Sequence, residues 1–195
     1  MPTIRVNDVN YTYRRWGNGP PLILLHGFTG SSKSWATLAD TLTPRMDVIA
    51  IDLLGHGHTE SPQSPERYTI AHVARDVAAI VDQLGIGRFS LLGYSMGGRL
   101  ALFLAHRFPE LIKSLILEST SPGIAYAGER RVRRKQDYSL AERIERDGVS
   151  RFVDRWERLP LFASQSIIPR QRRAELREQR ERNNSLGLAN SLRGM

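Results

Sequence analysis

The sequence predicts an α/β fold in which a mostly parallel β-sheet carries helices on both faces and is followed by a helical cap. Short, continuous apolar runs predict buried strands, and they alternate with segments whose apolar residues recur every three or four positions, as in amphipathic helices. Strand-like runs then stop after residue 122. With 195 residues and 41% hydrophobic content, the chain can form one sizeable core.

Four apolar runs predict strands that are buried on both faces, namely "PLILLHG", "MDVIAIDLLGHG", "RFSLLGYS" and "IKSLILEST". The segments between them predict helices, namely "SSKSWATLADTL", "YTIAHVARDVAAIVDQLG" and "MGGRLALFLAHRFPELI". In the second helix, Thr69 can cap the N-terminus and Gly85 can close the C-terminus. Strands that alternate with helices predict a parallel sheet, because parallel neighbours need crossover connections.

Residues 128–194 form Arg/Glu-rich segments that predict helices, so we divide the chain into a core (1–121) and a helical cap or lid (122–195). The net charge is +8, and the cap holds most of it: residues 1–127 carry 11 basic and 10 acidic side chains, whereas residues 128–195 carry 17 and 10. A basic excess confined to one helical segment is typical of solvated helix faces, so we expect no nucleic-acid partner.

The composition also bears on the compartment. No apolar run reaches 18 residues and the N-terminus has no signal-like segment, so we expect no membrane association and no export. The chain has no cysteine, which excludes disulfides and thiolate metal sites and fits a cytoplasmic protein. We predict no metal site, and a monomer is the expected oligomeric state.

A serine between two glycines stands at a predicted strand-to-helix junction. Gly93, Tyr94, Ser95, Met96 and Gly97 match the pattern G-x-S-x-G, with a buried strand before it and a helix after it. In such a turn the serine hydroxyl projects clear of the sheet, and side chains at the flanking positions would collide with the backbone. The alternative is a tight turn in which the serine is incidental. The context favours Ser95 as a catalytic nucleophile, with the Met96 amide directed at a substrate oxygen.

Two further loops follow predicted strands. His26 and Gly27 end the first apolar run, and we interpret His26 as a structural, hydrogen-bonded residue and not as a catalytic base. Asp52 ends the next run in a D-x-x-G-x-G pattern, and we expect Asp52, His56 and His58 to shape that loop.

These elements, in this order, resemble the α/β-hydrolase superfamily over residues 10–120. A closer resemblance is to the family of 2-succinyl-6-hydroxy-2,4-cyclohexadiene-1-carboxylate synthases, and it is carried by "HGFTGSSKSW", "GYSMGGRLAL", "WERLPLFASQ" and "NNSLGLANSLRGM". The superfamily resemblance implies a second oxyanion-hole amide at Phe28, beside that of Met96. The closer one implies a lyase of menaquinone biosynthesis that eliminates pyruvate from 2-succinyl-5-enolpyruvyl-6-hydroxy-3-cyclohexene-1-carboxylate without a cofactor.

The substrate implied by this resemblance is a small polycarboxylate, which gives particular arginines a role. Arg99 lies one helical turn after the serine and would border the same pocket. By local alignment, Arg133 and Arg180 match arginines that this family uses to hold carboxylates, and Tyr94 and Trp156 match pocket-lining residues. Each guanidinium can form a bidentate pair with a carboxylate. The alternative for any one arginine is a solvated helix face.

The same resemblance implies a catalytic histidine and its carboxylate on later strands, and no histidine follows His106. We therefore expect these 195 residues to be the N-terminal portion of a longer enzyme, with Ser95 lacking its base and catalysis crippled. Two other classes remain open: a serine esterase or carbon–carbon hydrolase of the same fold, and a non-catalytic binding protein.

Overall fold

The computed structural model describes the backbone of all 195 residues and every side chain except that of Ser166. Its strands are β1 Thr3–Val6, β2 Val9–Trp16, β3 Pro21–Leu25, β4 Asp47–Ile51, β5 Phe89–Tyr94 and β6 Ile112–Glu118. They form one six-stranded sheet in the order β1-β2-β4-β3-β5-β6. Strands β3 to β6 pair in parallel, whereas β2 pairs antiparallel with both of its neighbours, β1 and β4. The predicted mostly parallel sheet is therefore confirmed.

The β1–β2 hairpin adds two strands that the sequence analysis did not predict. Asn7 and Asp8 form its turn with φ angles of 47° and 64°. Two successive residues with positive φ are typical of the tight turn that suits strand twist, and Asn and Asp tolerate that conformation better than most residues. The hairpin pairs β2 with β4 and so extends the sheet on the side away from the serine.

Helices cover both faces of the sheet. The core helices are α1 Ala36–Leu42, α2 Ile70–Gln83 and α3 Met96–Arg107. Along β3, Ile23 and Leu25 pack into the cluster that includes α2 and α3, while Leu22 and Leu24 pack into a second cluster with Ala39 of α1. Because successive side chains of a strand point to opposite faces, this alternation confirms a strand buried on both sides.

The ends of α2 agree only partly with the prediction. Gly85 follows the helix with a φ of 68° and its amide bonds Asp82 O, as expected of a C-terminal glycine. Thr69 occupies the N-cap position, but its hydroxyl bonds the His72 ring at 2.6 Å and not a backbone amide. The predicted side-chain cap at Thr69 was therefore wrong, because the Thr69 hydroxyl bonds the ring of His72 instead of a backbone amide.

Strand β6 differs from the prediction of a strand buried on both faces. Ile116 is 48% exposed and Leu117 is 41% exposed. The physical reason is position, because β6 is the last strand of the described sheet and pairs with β5 alone. An apolar run predicts a strand but does not show whether that strand lies at the edge or in the centre of the sheet.

The segment after β6 is helical, as predicted. Its helices are α4 Ala127–Asp147, α5 Val149–Trp156, α6 Arg170–Glu181 and α7 Ser185–Gly194, with a 3₁₀ segment at Pro160–Ile167. Asn183, between α6 and α7, joins this region to the core: its amide donates to Thr29 O at 3.0 Å and accepts from the Gly57 amide at 3.0 Å. Of the helices that the structure describes, none is long and apolar enough to cross a membrane.

Candidate active site

Ser95 occupies a strained turn between β5 and α3. Its φ is 52° and its ψ is −112°, a backbone conformation that residues other than glycine rarely adopt. A Cβ on Gly93 would lie 2.4 Å from Gly97 O, and one on Gly97 would lie 2.3 Å from Leu25 O. The two flanking glycines are therefore required by close backbone packing. Thr120 donates to Ser95 O at 2.8 Å and holds the turn from the end of β6.

The loop after β3 lies directly against this turn. A Cβ on Gly27 would lie 2.9 Å from the Tyr94 ring and 3.2 Å from the Ser95 Cβ, so a larger residue there would have to displace the Tyr94 ring. The backbone amides of Phe28 and Met96 have no protein acceptor among the described residues. Two uncommitted amides on the two segments that flank the serine leave donors available for a substrate oxygen.

Two buried histidines shape the loops and stay neutral. His26 Nδ1 donates to Gly27 O at 2.8 Å, and its Nε2 accepts from the Leu53 amide at 3.0 Å, which fixes one tautomer. Burial lowers the pKa of His26. His56 Nδ1 bonds Leu54 O at 3.0 Å, and burial, with His26 beside it, lowers the pKa of His56 to about 3.

Asp52 organises the loop that follows β4. Its carboxylate accepts from the amides of Ser32 at 2.5 Å and His58 at 2.9 Å. A Cβ on Gly57 would meet the same carboxylate at 2.3 Å. In the structure, His26, His56 and Asp52 thus all hold loops, as the sequence analysis expected.

A cavity of about 260 Å³ lies between the Gly93–Gly97 turn around Ser95, which we call the elbow, the loop after β3 and the cap. Phe28 and Tyr94 line it from the core, and Arg180 lines it from α6. Glu118, at the end of β6, also lines it. The structure therefore brings three of the predicted site residues to one cavity beside Ser95.

Arg180 is nearly buried but is already bonded within the cap. It donates to Glu157 at 2.6 Å and to Gln165 at 3.1 Å, and its guanidinium stacks 5.1 Å from the Phe162 ring. These two bonds use two of the five guanidinium N–H groups, which leaves others for a ligand. The sequence analysis missed Glu157 and Gln165, because no local pattern pairs residues on separate cap segments.

The structure also brings Arg99 and Arg133 near one another. Burial lowers the pKa of Arg99, and the positive charge of Arg133 lowers it further, although Asp137 partly offsets this. Arg133 donates through Nε to Asp137 at 2.7 Å, which leaves both of its terminal amino groups free of that pair. Arg99 of α3 and Arg133 of α4 thus place two positive charges near one another, and such an arrangement favours an anion.

Trp156 lies apart from the cavity that Arg180 lines. Its ring packs 5.6 Å from Phe28, 5.3 Å from Phe152 and 5.5 Å from Phe162. It lines a different, largely apolar cavity of about 310 Å³ within the cap. Its indole N–H is buried and has no partner among the described side chains. Trp156 therefore connects the cap to the loop of Phe28.

No histidine hydrogen-bonds the Ser95 hydroxyl in the part of the chain that the structure describes. His26 and His56 are committed to backbone groups, as described above, and His72 bonds Thr69. The described residues thus place a serine, two amides without an acceptor and two arginines in one region, and no described histidine bonds the serine hydroxyl.

Comparisons with known proteins identify the fold family. Residues 20–168 match the family model described as alpha/beta hydrolase fold. A putative 2-succinyl-6-hydroxy-2,4-cyclohexadiene-1-carboxylate synthase of Bacillus subtilis is 48% identical over 174 residues, which are 89% of this chain and 63% of that protein. The synthase of that name from Serratia proteamaculans is 34% identical and matches 77% of this chain and 58% of its own length.

A solved structure of MenH from S. aureus superposes with a TM-score of 0.87 at 34% identity. It covers 94% of this chain, and the match spans 70% of the MenH chain. The chain thus spans about three fifths of the length of the two synthases that it matches.

Proposed function

The chain belongs to the α/β-hydrolase fold family, and on that premise we propose that it supplies the nucleophile elbow, the oxyanion loop and the cap of a 2-succinyl-6-hydroxy-2,4-cyclohexadiene-1-carboxylate synthase. The reaction is the elimination of pyruvate from 2-succinyl-5-enolpyruvyl-6-hydroxy-3-cyclohexene-1-carboxylate. The observation that carries the proposal is that Arg99, one helical turn after Ser95, is close enough to Arg133 of α4 for the second positive charge to lower the pKa of Arg99.

Carboxylate recognition follows from the chemistry of this pair. Arg99 is half-buried, and its positive charge is disfavoured by burial and by Arg133. A substrate carboxylate between the two groups would offset both effects, and each guanidinium can offer a planar fork to it. An apolar acyl substrate would supply no anion to Arg99, because the Asp137 carboxylate is already bonded to Arg133. The pair therefore favours the lyase over an esterase.

Charge development during the elimination explains the other parts of the site. A general base, which the resemblance assigns to a histidine oriented by a carboxylate, activates Ser95. The activated serine, directly or through that histidine, removes the ring proton that starts the elimination. The Phe28 and Met96 amides then stabilise negative charge on a substrate oxygen, with ~3 kcal/mol per donor in comparable sites.

Turnover of two substrates by the enzyme encoded by the complete reading frame tests this proposal. We expect pyruvate release from the cyclohexene substrate and poor hydrolysis of p-nitrophenyl esters. Brisk ester hydrolysis without pyruvate release would favour the esterase. If neither substrate is turned over but a polycarboxylate still binds, the chain is a binding protein and the proposal fails.

A further inference from the structure

A second cavity adjoins the inner one that lies beside Tyr94. It has a volume of about 290 Å³. Phe162, Gln165 and Arg180 line both cavities, so the 3₁₀ segment Pro160–Ile167 and the Arg180 side chain separate them. We call the second one the outer cavity.

The outer cavity carries an excess of positive charge. Arg158 and Arg173 line it and are solvent-exposed, and neither has an ion-pair partner among the described side chains. Glu157 is the one acidic residue in its lining, and it is bonded to Arg180 at 2.6 Å and to Arg177 at 3.4 Å. Two cations without an ion-pair partner among the described side chains, in a lining whose one acidic residue is already paired, create a local positive potential.

The buried guanidinium of Arg180 lies in the wall that the two cavities share. Arg180 is 9% exposed and faces both cavities, while its bonds to Glu157 and Gln165 leave N–H groups unused. An anion attracted by Arg158 and Arg173 therefore meets a third, desolvated cation next, and beyond it the cavity that Tyr94 lines. The three arginines form a path of increasing burial.

We propose that the outer cavity is a vestibule that collects polycarboxylates and passes them, by way of Arg180, to the inner cavity beside Tyr94. This inference rests on the proposed function for the identity of the polycarboxylate. Arg158 and Arg173 act before chemistry: they raise the local concentration of the anion and touch no reacting atom. Their removal lowers kcat/KM and anion affinity and leaves kcat unchanged.

Charge reversal at the rim tests the vestibule. The double variant Arg158→Glu/Arg173→Glu is compared with Arg75→Glu/Arg107→Glu, which makes the same change in net charge on exposed core positions that line none of the cavities described above. The enzyme from the complete reading frame is used. Affinity for propane-1,2,3-tricarboxylate is measured by calorimetry, which requires no turnover, and kcat and KM are measured from pyruvate release.

We expect the rim variant to lose roughly 3- to 10-fold in tricarboxylate affinity and in kcat/KM at low salt, with the difference shrinking as salt screens the charges. The control pair should lose little at any salt concentration. Should the glutamates disturb the cap, Arg158→Gln/Arg173→Gln should give a smaller loss of the same kind.

The two proposals fail separately. Equal affinity and equal salt dependence in the rim variant and the control would overturn the vestibule, even if pyruvate is released. Failure of the wild-type enzyme to bind the tricarboxylate would also overturn it. A rim effect on tricarboxylate binding without pyruvate release would support the vestibule and reject the proposed reaction.

Discussion

Gly97→Ala tests whether the close approach of α3 to the end of β3 positions the serine. The added Cβ would lie 2.3 Å from Leu25 O and 2.5 Å from His26 O, both of which are backbone atoms. To reach even 3.0 Å from Leu25 O, the start of α3 must retreat by about 0.7 Å. That retreat carries the Ser95 turn away from the loop of Phe28, which holds one of the two donor amides.

The magnitude follows from that displacement. Overpacking of this kind costs about 1–3 kcal/mol of stability. A misplacement of about 1 Å can reduce catalysis by ~10²-fold, and we expect kcat to fall by roughly that factor. Urea denaturation and the steady-state rate of pyruvate release measure the two effects.

Gly128→Ala is the matched control. Gly128 is the second residue of α4, as Gly97 is of α3, and a Cβ there meets nothing within 4 Å. We expect it to be neutral or to stabilise by up to ~1 kcal/mol, because alanine favours helix. If Gly97→Ala gained stability as the control does and kept the wild-type kcat, our account of the elbow packing would be refuted.

Two remaining predictions concern charge. Arg99→Ala should lower kcat/KM by the equivalent of about 2–5 kcal/mol, because it leaves a substrate carboxylate without its partner at a half-buried position. Arg133→Ala should lower kcat/KM by less, because the exposed Arg133 side chain is screened by solvent, and exposed Arg146→Ala should not change it. Equal small effects in steady-state kinetics at all three positions would contradict the clamp. His56 has a pKa of about 3 in the folded protein and ~6.5 in the unfolded chain, so between these values only the unfolded chain binds the proton. Stability therefore falls as pH decreases from ~6.5 to about 3, by up to ~1.4 kcal/mol per pH unit. Urea denaturation between pH 7 and 4 measures the free energy of unfolding. As pH falls, this free energy should decrease less steeply in His56→Gln than in the wild type, whereas exposed His106→Gln should follow the wild type. A wild-type slope in His56→Gln would contradict this prediction.

The parts of the fold and site that could be predicted are local in sequence. The elbow at Ser95 is encoded in five consecutive residues, because the close backbone packing around the strained serine requires the two glycines. His26 was predicted to be structural from its place beside a glycine at a strand end, and its two backbone bonds agree.

The rest depends on contacts between distant segments. Glu157, Gln165 and Arg180 meet although 23 residues separate the first from the last, and many Arg/Glu pairings of the cap are compatible with its sequence. The exposure of Ile116 could not be predicted either, because it depends on where β6 lies in the sheet. Arg99 was placed beside the serine by its spacing on the helix, whereas Arg133 was singled out only through the family resemblance.

Pyruvate release by the wild-type enzyme and by Ser95→Ala, each expressed from the complete reading frame, tests the central claim most directly. In the proposed mechanism, loss of the serine hydroxyl removes the group that the base activates, while the proposed carboxylate contacts of Arg99 and Arg133 are left intact. We therefore predict that the wild type releases pyruvate from the cyclohexene substrate, and that Ser95→Ala lowers kcat by at least ~10³-fold with substrate affinity largely retained. No pyruvate from the wild type, or comparable release by Ser95→Ala, would contradict the account.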